Sequence, residues 1–543
     1  GYGGGIYAED SLSADERGLV LTSCVIDMNT SRLGGGVFLE GASMTATNTD
    51  FTQNQANTAA GSDGGAINLS LLGSDGAPSE ATLVGCTVTG NQATGTHAIY
   101  NASGNLLAIE SSTICDNTDT TGTPHEPIHG GWTNLGGNCI SITCDSDGDG
   151  VLDCDDTNPG GPDPGVPGSL QTAVDNAVDG DEITLAAGLY ELTDSLDFGT
   201  RNLSLIGAVD QDGASATTLL ATNSQRAIIL DGGQDSSTRL ENLIIDGNST
   251  GGCLFVSNSP AGNGPVAQNV IFRNGFSSAN AGAVLIYTDG HFTCISSRFE
   301  NNTASHGGAV LVTNDGQFHA SDCEFVGNTA SSWGGAIKSQ ATCVVMLEGC
   351  DFTANTASVG GAIFLDSHTD LTATTCTFDL NSSSSMGSAI YARWNDTAEN
   401  HSPIIVLDDC GFTRNTSGSE GTIYARQTTM TATKCVFGSP VDPLLANTAF
   451  SNGGAIRLHN GNASGSGDQA MDPDMFVTLR GCEFYDQHAG FYGGAILNGN
   501  TRLVIEDAPD GTPCRFANNT TGAGTPEVME TDRGGAIYVL HAG

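Results

Sequence analysis

Short segments in which apolar and polar residues alternate recur along the whole chain, separated by clusters of Gly, Asn, Asp and Ser. Residues 19–27 (LVLTSCVID) and 343–352 (CVVMLEGCDF) are two such segments. Alternation with a period of two residues is typical of half-buried strands, whereas helices would need apolar residues at a spacing of 3.6. The pattern therefore predicts an all-β protein built from short strands.

The strands belong to a repeated unit. The phrase CEFVGNTASSWGGAI (323–337) has close copies at 299–310 and 350–363, each with a Phe, an Asn three residues later and a Gly-Gly-Ala-aliphatic ending. The closing aliphatic residues follow one another at 26 or 27 residues in the middle of the chain and at 30 to 41 residues elsewhere. A strand repeat of this length predicts the coils of a parallel β-helix, stacked about 4.8 Å apart.

The phrase itself predicts how each coil is filled. Cys323 and Phe325 are two residues apart, so we expect both to point inward and to form stacks along the axis. Asn328 is expected in a left-handed turn, with its amide bonded to the equivalent Asn of neighbouring coils. Gly334 and Gly335 are expected at the next corner. We interpret the phrase as a folding signal rather than as an active site.

The combination of GGA-[ILV] with FxxN resembles the repeats of the polymorphic outer-membrane proteins of chlamydiae and their relatives. The matching FxxN pieces are Phe51–Asn54, Phe299–Asn302, Phe325–Asn328, Phe352–Asn355, Phe378–Asn381, Phe412–Asn415 and Phe516–Asn519. The resemblance implies a surface-displayed or secreted β-helix, often an adhesin, and therefore an extracellular or cell-surface location.

Residues 144–156 (CDSDGDGVLDCDD) depart from the repeat and have the spacing of a calcium loop. Oxygen ligands at positions 1, 3, 5, 9 and 12 and a main-chain carbonyl at position 7 can surround one Ca²⁺. The predicted ligands are Asp145, Asp147, Asp149, Val151 through its carbonyl, Asp153 and Asp156. The loop resembles thrombospondin type 3 and related bacterial calcium repeats, which implies a stiffened joint; the alternative is a plain acidic linker.

A new unit begins after the Pro/Gly-rich stretch at 160–168. Ser169 is expected to cap a short helix, and 182–185 to begin a strand. The helix presents one apolar face, formed by Leu170, Ala173, Val174 and Ala177. It resembles the amino-terminal cap of pectate-lyase-like β-helices.

We therefore predict two stacked right-handed parallel β-helix modules joined by a calcium-binding linker. Residues 1–143 would be the C-terminal part of a first β-helix, 144–168 the linker, and 169–543 a second β-helix with a cap helix and an uncapped end. The second would contain about thirteen coils and extend on the order of 60 Å. Both chain ends fall inside coils, as in a window of a longer protein or a subunit that abuts its neighbours in a filament.

The composition excludes several classes of partner. The net charge is −44, from 61 acidic and 17 basic residues. Such a surface repels nucleic acid, polyanionic glycans and anionic lipid, so we expect no nucleic-acid partner. No run of 18 apolar residues occurs, so no membrane-spanning helix is expected.

Most of the 16 cysteines recur once per coil at inward positions. Neighbours about 4.8 Å apart are farther apart than the usual Cβ separation of roughly 3.8 Å in a disulfide, so these thiols are expected to be reduced. Cys139, Cys144 and Cys154 lie outside that register. Both a Cys144–Cys154 and a Cys139–Cys144 bridge fit the sequence.

Candidate catalytic residues are few. Asp408–Asp409 is an adjacent acidic pair, and His401 and His459 lie in or beside longer excursions, where we expect solvated loop histidines. Basic residues are scattered among the repeats, which fits a basic substrate cleft poorly.

The leading hypothesis for function is a structural or adhesive extracellular rod, a segment of a long cell-surface protein or a filament subunit, without catalytic activity. Contacts would come from the longer coils at 391–403, 459–475 and 506–513. Expected partners are further copies, end to end or within a filament, and a cell-surface or glycan ligand. The alternative is a polysaccharide-binding or polysaccharide-degrading β-helix of the lyase or hydrolase kind.

Overall fold

The computed structural model describes residues 3–9, 18–57, 64–70, 78–94, 97–119, 127–140, 168–394, 402–460, 476–522 and 535–540. The chain divides into two compact units, Gly1–Gly160 and Gly161–Gly543. In each unit, strands of successive coils pair in parallel and form four long sheets. We name the sheets A to D in the order in which the chain passes through them within one coil. The protein is a parallel β-helix, as predicted.

The sheets of the first unit contain the following strands. Sheet A comprises Gly18–Thr22, Ser43–Thr47, Glu80–Val84, Leu106–Glu110 and Thr133–Asn134; sheet B comprises Val25–Asp27, Asp50–Thr52, Thr87–Thr89, Thr113–Cys115 and Cys139–Ile140; sheet C comprises Thr30–Ser31, Gln55–Ala56, Gln92–Ala93 and Thr118–Asp119; sheet D comprises Ile6–Glu9, Val37–Glu40, Gly64–Leu69, His97–Asn101 and Ile128–His129.

In the described part of the second unit, sheets A, B and D have twelve strands each and sheet C has nine. Sheet A comprises Glu182–Leu185, Ser204–Gly207, Arg239–Glu241, Val266–Gln268, His291–Ile295, Gln317–Ser321, Cys343–Glu348, Thr369–Thr374, Ile404–Asp408, Thr429–Thr433, Phe476–Arg480 and Arg502–Glu506. Sheet B comprises Gly188–Leu192, Thr217–Ala221, Leu243–Asp246, Ile271–Arg273, Arg298–Glu300, Glu324–Val326, Asp351–Thr353, Thr377–Asp379, Gly411–Thr413, Val436–Phe437, Glu483–Tyr485 and Arg515–Ala517.

The other two sheets of the second unit follow the same succession. Sheet C comprises Phe276–Asn280, Thr303–His306, Thr329–Trp333, Thr356–Val359, Ser382–Met386, Thr416–Ser417, Thr448–Ala449, His488–Ala489 and Thr520–Thr521. Sheet D comprises Leu196–Asp197, Arg226–Leu230, Gly252–Ser257, Val284–Tyr287, Val310–Thr313, Ile337–Gln340, Ile363–Leu365, Ile390–Arg393, Ile423–Arg426, Ile456–His459, Ile496–Gly499 and Ile537–Leu540. A short 3-10 helix, Pro443–Leu445, lies in one of the turns.

The predicted phenylalanine stack is confirmed. Phe325 is fully buried and lies parallel to Phe299 and Phe352, with ring centroids 4.7 and 4.5 Å away. The column continues from Phe272 to Phe516 with centroid distances of 4.5–4.9 Å. Such continuous stacking places the core inside the coils and fixes their register.

The predicted asparagine ladder is also confirmed. The Nδ2 of Asn328 donates to Oδ1 of Asn355 at 3.0 Å and to the carbonyl of Phe299 at 2.9 Å. Its Oδ1 accepts hydrogen bonds from the main-chain N and the Nδ2 of Asn302. The expected left-handed conformation is wrong, however, because the residue with positive φ is Gly327, at 64°. Asn328 is selected for its amide and not for its backbone.

The cysteines of the Cys-x-Phe phrase lie at corners rather than inside strands. Cys323 is buried and precedes the strand Glu324–Val326, and Gly349, with a φ of 60°, interrupts the segment that we predicted as one strand at 343–352. The twelve free cysteines among the described residues include every cysteine at the Cys-x-Phe position of the repeat. Cys115 and Cys139 are disulfide-bonded. The involvement of Cys115 was not predicted, and Cys144 and Cys154 lie outside the described residues, so the pairing around the loop stays a prediction.

The Gly-Gly corner is a place where the backbones of two coils approach closely. A Cβ on Gly335 would lie 2.0 Å from the carbonyl oxygen of Gly361 in the next coil. A side chain at this distance would clash with that carbonyl, which explains the glycine at position 335. The copy at 387–390 has Ser388 at the equivalent position. The corner joins sheet C to sheet D.

The cap helix extends over Ser169–Asn176 and buries Leu170 and Val174. Its N-cap is Gly168 and no side chain caps it, so the expected capping role of Ser169 is wrong. The strand expected at 182–185 is confirmed as Glu182–Leu185. The predicted calcium ligands, Asp145, Asp147, Asp149, Val151, Asp153 and Asp156, lie outside the described residues.

Candidate ligand-binding site

Side chains of sheets C and D pack against each other on the outside of the second unit, next to the Gly-Gly corner. In sheet D, Ile337 points into the core, so the next residue, Lys338, points outward. Parallel pairing places Lys338 beside Phe364 and continues the same row through Tyr391, Tyr424 and Arg457. Trp333, Val359 and Met386 of sheet C pack against this row. We call this cluster, with the charged residues described below, the outer corner.

An aromatic column forms the floor of the outer corner. The rings of His306, Trp333, Phe364, Tyr391 and Tyr424 stack in succession with centroid distances of 4.6, 5.4, 5.2 and 5.0 Å. Although they lie outside the solenoid wall, the last three are at most 6 % exposed. The column therefore forms a second, external apolar cluster beside the main core.

Basic residues border this column. Arg393 forms a two-pronged ion pair with Asp366, with Nε–Oδ1 and Nη2–Oδ2 distances of 3.1 and 3.0 Å. Arg457 donates from Nε to Oε2 of Glu420 at 3.1 Å. Arg426 is the register neighbour of Arg393 in sheet D. Together with Lys338, four cations and two carboxylates meet on one face of a protein whose net charge is −44.

Lys338 is the least compensated of these cations. Its residue is 2 % exposed, and its Nζ lies 4.5 Å from the centroid of the Trp333 ring. Among the described residues, no carboxylate forms an ion pair with it, although every other cation above has a polar partner. Burial lowers the pKa of Lys338 to about 8, since the charge of Asp366 only partly offsets the desolvation and Arg393 adds to it.

The far end of the aromatic column meets a histidine. The hydroxyl of Tyr424 lies 3.0 Å from Nδ1 of His459. Burial, followed by the charges of Arg457 and Arg426, lowers the pKa of His459. The expectation that His459 is a solvated loop histidine is therefore wrong, because it ends the strand Ile456–His459 and packs in the outer corner.

Replacing His459 with Gln is expected to flatten the decrease in stability between pH 7 and pH 5. A lowered pKa means that the folded protein binds a proton less readily than the unfolded chain, whose histidines titrate near about 6.5. His459 therefore removes stability as the pH falls through that value. Unfolding free energies measured by urea denaturation at both pH values check this. The control is His488→Gln at a partly exposed histidine beside Thr520; equal pH profiles for the two variants would contradict the prediction.

The other sequence candidates do not join this site. Asp408 and Asp409 are exposed at the end of a sheet A strand, and Asp409 has a φ of 53° in the following turn. Both lie near Lys434, which is ion-paired with Asp510 at 2.6 Å. His401 lies outside the described residues, as do most of the excursions at 391–403 and 459–475.

No group of three or more His, Cys, Asp or Glu side chains suited to a metal ion occurs within the described ranges. No described helix is long and apolar enough to cross a membrane.

The equivalent outward row of sheet D in the first unit has aromatic rings beside acidic rather than basic residues. Tyr7 stacks on Phe38 at 5.6 Å, and Tyr100 stacks on His129 at 4.9 Å. The Tyr7 hydroxyl donates to Glu9 and Glu40 at 2.9 and 3.0 Å. The repeat therefore places aromatic rings at this position in both units, and in the second unit it adds cations.

Sequence reasoning missed the outer corner because it treated the basic residues as scattered. The signal was present in the residue that follows each closing aliphatic residue of the repeat. In the second unit that column includes Leu285, Leu311, Lys338, Phe364, Tyr391, Tyr424, Arg457, Leu497 and Tyr538. Comparing this position between copies would have found an external row that the folding signal itself does not explain.

Comparison with known protein families supports the repeat. Residues 322–340 match the Chlamydia polymorphic membrane protein (Chlamydia_PMP) repeat. No curated protein sequence shows a significant match to the chain.

Three solved structures are similar to the chain. Geobacillus virus E2 ORF18 is 12 % identical with a TM-score of 0.30, over 65 % of this chain and 57 % of that one. The Dettilon tailspike protein gp208 is 11 % identical with a TM-score of 0.37, over 67 % and 68 %. A PL6 alginate lyase in complex with a trisaccharide is 12 % identical with a TM-score of 0.33, over 68 % and 90 %. The chain thus spans little more than half of the Geobacillus virus protein, and similarity at this level carries no functional argument.

Proposed function

We propose that this protein is an extracellular β-helical rod with an adhesive role and without catalytic activity, and that the outer corner is its contact surface. The observation that carries this proposal is the collection of four cations around an aromatic column that includes the partly exposed Trp333 ring, on a chain with a net charge of −44. An electropositive spot on an acidic rod favours one docking position and repels polyanions elsewhere. The match to a polymorphic membrane protein repeat supports placement at a cell surface.

The shape of the repeat supports a rod rather than a cleft enzyme. The Phe and Asn columns continue through successive coils, so the interior is filled by ladders that leave no room for a substrate. On the outer face of sheet A, the row from Met346 through Thr372 to Val406 consists of apolar and hydroxyl side chains, and His319 precedes Met346 in the same row.

A binding experiment tests the adhesive function. The purified chain, labelled with a fluorophore, is applied to cells and to an array of neutral and acidic glycans. We expect saturable binding that decreases when Arg393 and Arg457 are both replaced by Gln, whereas replacing Arg298 and Arg480, which lie on other faces, leaves it unchanged. Absence of binding to every surface, or equal binding by both double variants, would contradict the proposal.

A glycan-active enzyme is the second candidate. The observation in its favour is the pKa of Lys338, lowered to about 8 by burial, which is in the range of a general base. Incubation with neutral and acidic polysaccharides, followed by chromatography of the products, distinguishes the two functions. The adhesive proposal expects no shortened chains, and shortening that requires Lys338 would establish the enzyme instead.

We also propose that Asp145, Asp147, Asp149, Val151, Asp153 and Asp156 bind Ca²⁺ at the joint. The support is their spacing and the repulsion among five carboxylates without a cation. We expect calcium to raise the melting temperature and the chelator EGTA to lower it. In the combined Asp147→Asn and Asp149→Asn variant, we expect the same melting temperature with and without calcium. Magnesium at the same concentration is the control. A calcium effect that persists in the variant would contradict these ligands.

Self-association end to end or within a filament stays a proposal. It is supported by the large exposed side chains on the outermost described strands of sheets A and B in the first unit, where Val20 and Val25 are 71 % and 67 % exposed. Electron microscopy across a range of concentrations tests it, since stacked copies would give fibres with an axial repeat of about 4.8 Å.

A further inference from the structure

The ammonium group of Lys338 has no bonded counter-ion among the described residues of the folded protein. It is one of only two lysines in the chain, and its residue is 2 % exposed. Its two immediate neighbours in the row are apolar, Leu311 in the preceding coil and Phe364 in the next. Taking an ammonium group out of water without a bonded anion is costly, and folded proteins rarely leave such a group unpaired.

The described residues do not supply the missing anion. Asp366 is the carboxylate whose charge acts on Lys338, but both of its oxygens are bound by Arg393. Glu420 is held in the same way, by Arg457 on one oxygen and Asn452 on the other. The Trp333 ring, 4.5 Å from Nζ, compensates the charge through its π face only in part.

We infer that the Lys338 ammonium is the receptor for a ligand carboxylate, carried by an acidic sugar unit of an otherwise uncharged glycan. This inference rests on the proposed adhesive function, for which it names the ligand class. A carboxylate provides the acceptor that the ammonium lacks, and hydrogen bonds between charged groups are the strong ones. A bound carboxylate would also raise the pKa of this amine toward its ordinary value, because it stabilises the charged form that burial disfavours.

The charge of the whole chain selects a ligand with isolated carboxylates. Four cations and two carboxylates leave a small positive excess at the outer corner, while the net charge of the chain is −44. A densely charged polymer would be repelled over most of its length, at distances up to the Debye length of about 8 Å. A single carboxylate on a neutral chain encounters only the local positive region.

The two lysines make a direct experiment possible. Labelling with lysine that carries ¹³C at Cε gives one signal from Lys338 and one from Lys434, which lies exposed in its ion pair with Asp510. Lys434→Arg assigns the pair. The probes are glucuronate, its uncharged counterpart glucose, and acetate as a free carboxylate.

We expect glucuronate to shift the Lys338 signal and to leave that of Lys434 unchanged, with glucose at least about tenfold weaker, as expected for a hydrogen bond between charged groups. A Lys338 signal that does not respond to glucuronate overturns the inference. An equal response to acetate and glucuronate would overturn the part of the inference that names a sugar, because it would show that the site recognises any small carboxylate.

The variant Lys338→Met separates this inference from the adhesive function. Met fits a row that already contains Leu311 and Phe364, so the variant is expected to fold with an unchanged or higher melting temperature. We expect it to lose at least about tenfold in binding to glycans that contain an acidic sugar. If the wild-type chain binds cells and Lys338→Met binds equally well, the receptor role is wrong and adhesion stands. If glucuronate shifts Lys338 but the chain binds no surface, adhesion is wrong and the receptor stands.

Discussion

Replacing Phe352 with Ala is expected to lower the free energy of unfolding of the second unit by about 3–5 kcal/mol. Phe352 is fully buried, and its ring stacks on Phe325 at 4.5 Å and on Phe378 at 4.9 Å. Removing it takes away the contacts on both faces and leaves a cavity that the coil backbone, fixed by its sheets, cannot close.

Chemical denaturation followed by circular dichroism measures this loss. The matched control is Phe276→Ala, because Phe276 is 42 % exposed on a strand of sheet C. The control should cost far less than Phe352→Ala. Equal losses for the two variants would show that the Phe column is not the source of stability.

Replacing Asn355 with Asp is expected to destabilise the same unit by about 3–5 kcal/mol at pH 7, although the two side chains have the same shape. The Nδ2 of Asn355 donates to the carbonyl of Phe325 at 2.8 Å and to Oδ1 of Asn381 at 3.0 Å. In Asp an acceptor would face both of these acceptors, inside a fully buried ladder.

The pH dependence of this variant gives an independent check. Burial among acceptors raises the pKa of such a carboxyl in the folded state above its value of about 3.9 in the unfolded chain. The penalty is therefore present at neutral pH and decreases as the pH falls and the carboxyl takes up a proton. Asn263→Asp in an exposed turn adds the same charge and is the control. A pH-independent loss, or an equal loss in the control, would contradict a ladder held by donated hydrogen bonds.

The two units show how one folding repeat can carry different surfaces. Inward positions follow the repeat closely because a coil that departs from it breaks the ladder above and below. The outward position after the closing aliphatic residue is not constrained in this way. In the first unit it is occupied by Tyr7 beside two glutamates, and in the second by Lys338 and Arg457 beside aromatic rings.

Much of the fold could be predicted from the sequence because its signals are local. Alternation predicted the strands, and the spacing of Phe, Asn and Gly-Gly predicted the stacking of Phe325 and Asn328 on their equivalents. The errors are local as well. Gly327 rather than Asn328 has the left-handed conformation, and Gly168 rather than Ser169 is the N-cap of the helix. Both predictions assigned the role to a side chain with a known conformational preference, although the adjacent glycine has it.

The candidate site could not be predicted in this way. Trp333 and Arg393 are 60 residues apart in the sequence, yet the guanidinium carbon of Arg393 lies 5.1 Å from the centroid of the Trp333 ring. Tyr424 and His459 belong to different coils and meet at 3.0 Å. Contacts of this kind depend on the number of residues per coil and on which side chains point outward at the corner. Neither can be predicted from a short sequence motif.

The amino-acid sequence by itself determined the all-β class, the coil repeat and the ladders. Each coil pairs with copies of itself, and these copies have Phe, Asn and Gly-Gly at equivalent positions. Tertiary structure alone decided where the basic residues meet, because pairing in register turns a spacing of 26 to 41 residues into a distance of one coil. It also decided that Lys338 is buried without an ion pair to any described carboxylate, since Arg393 already binds Asp366.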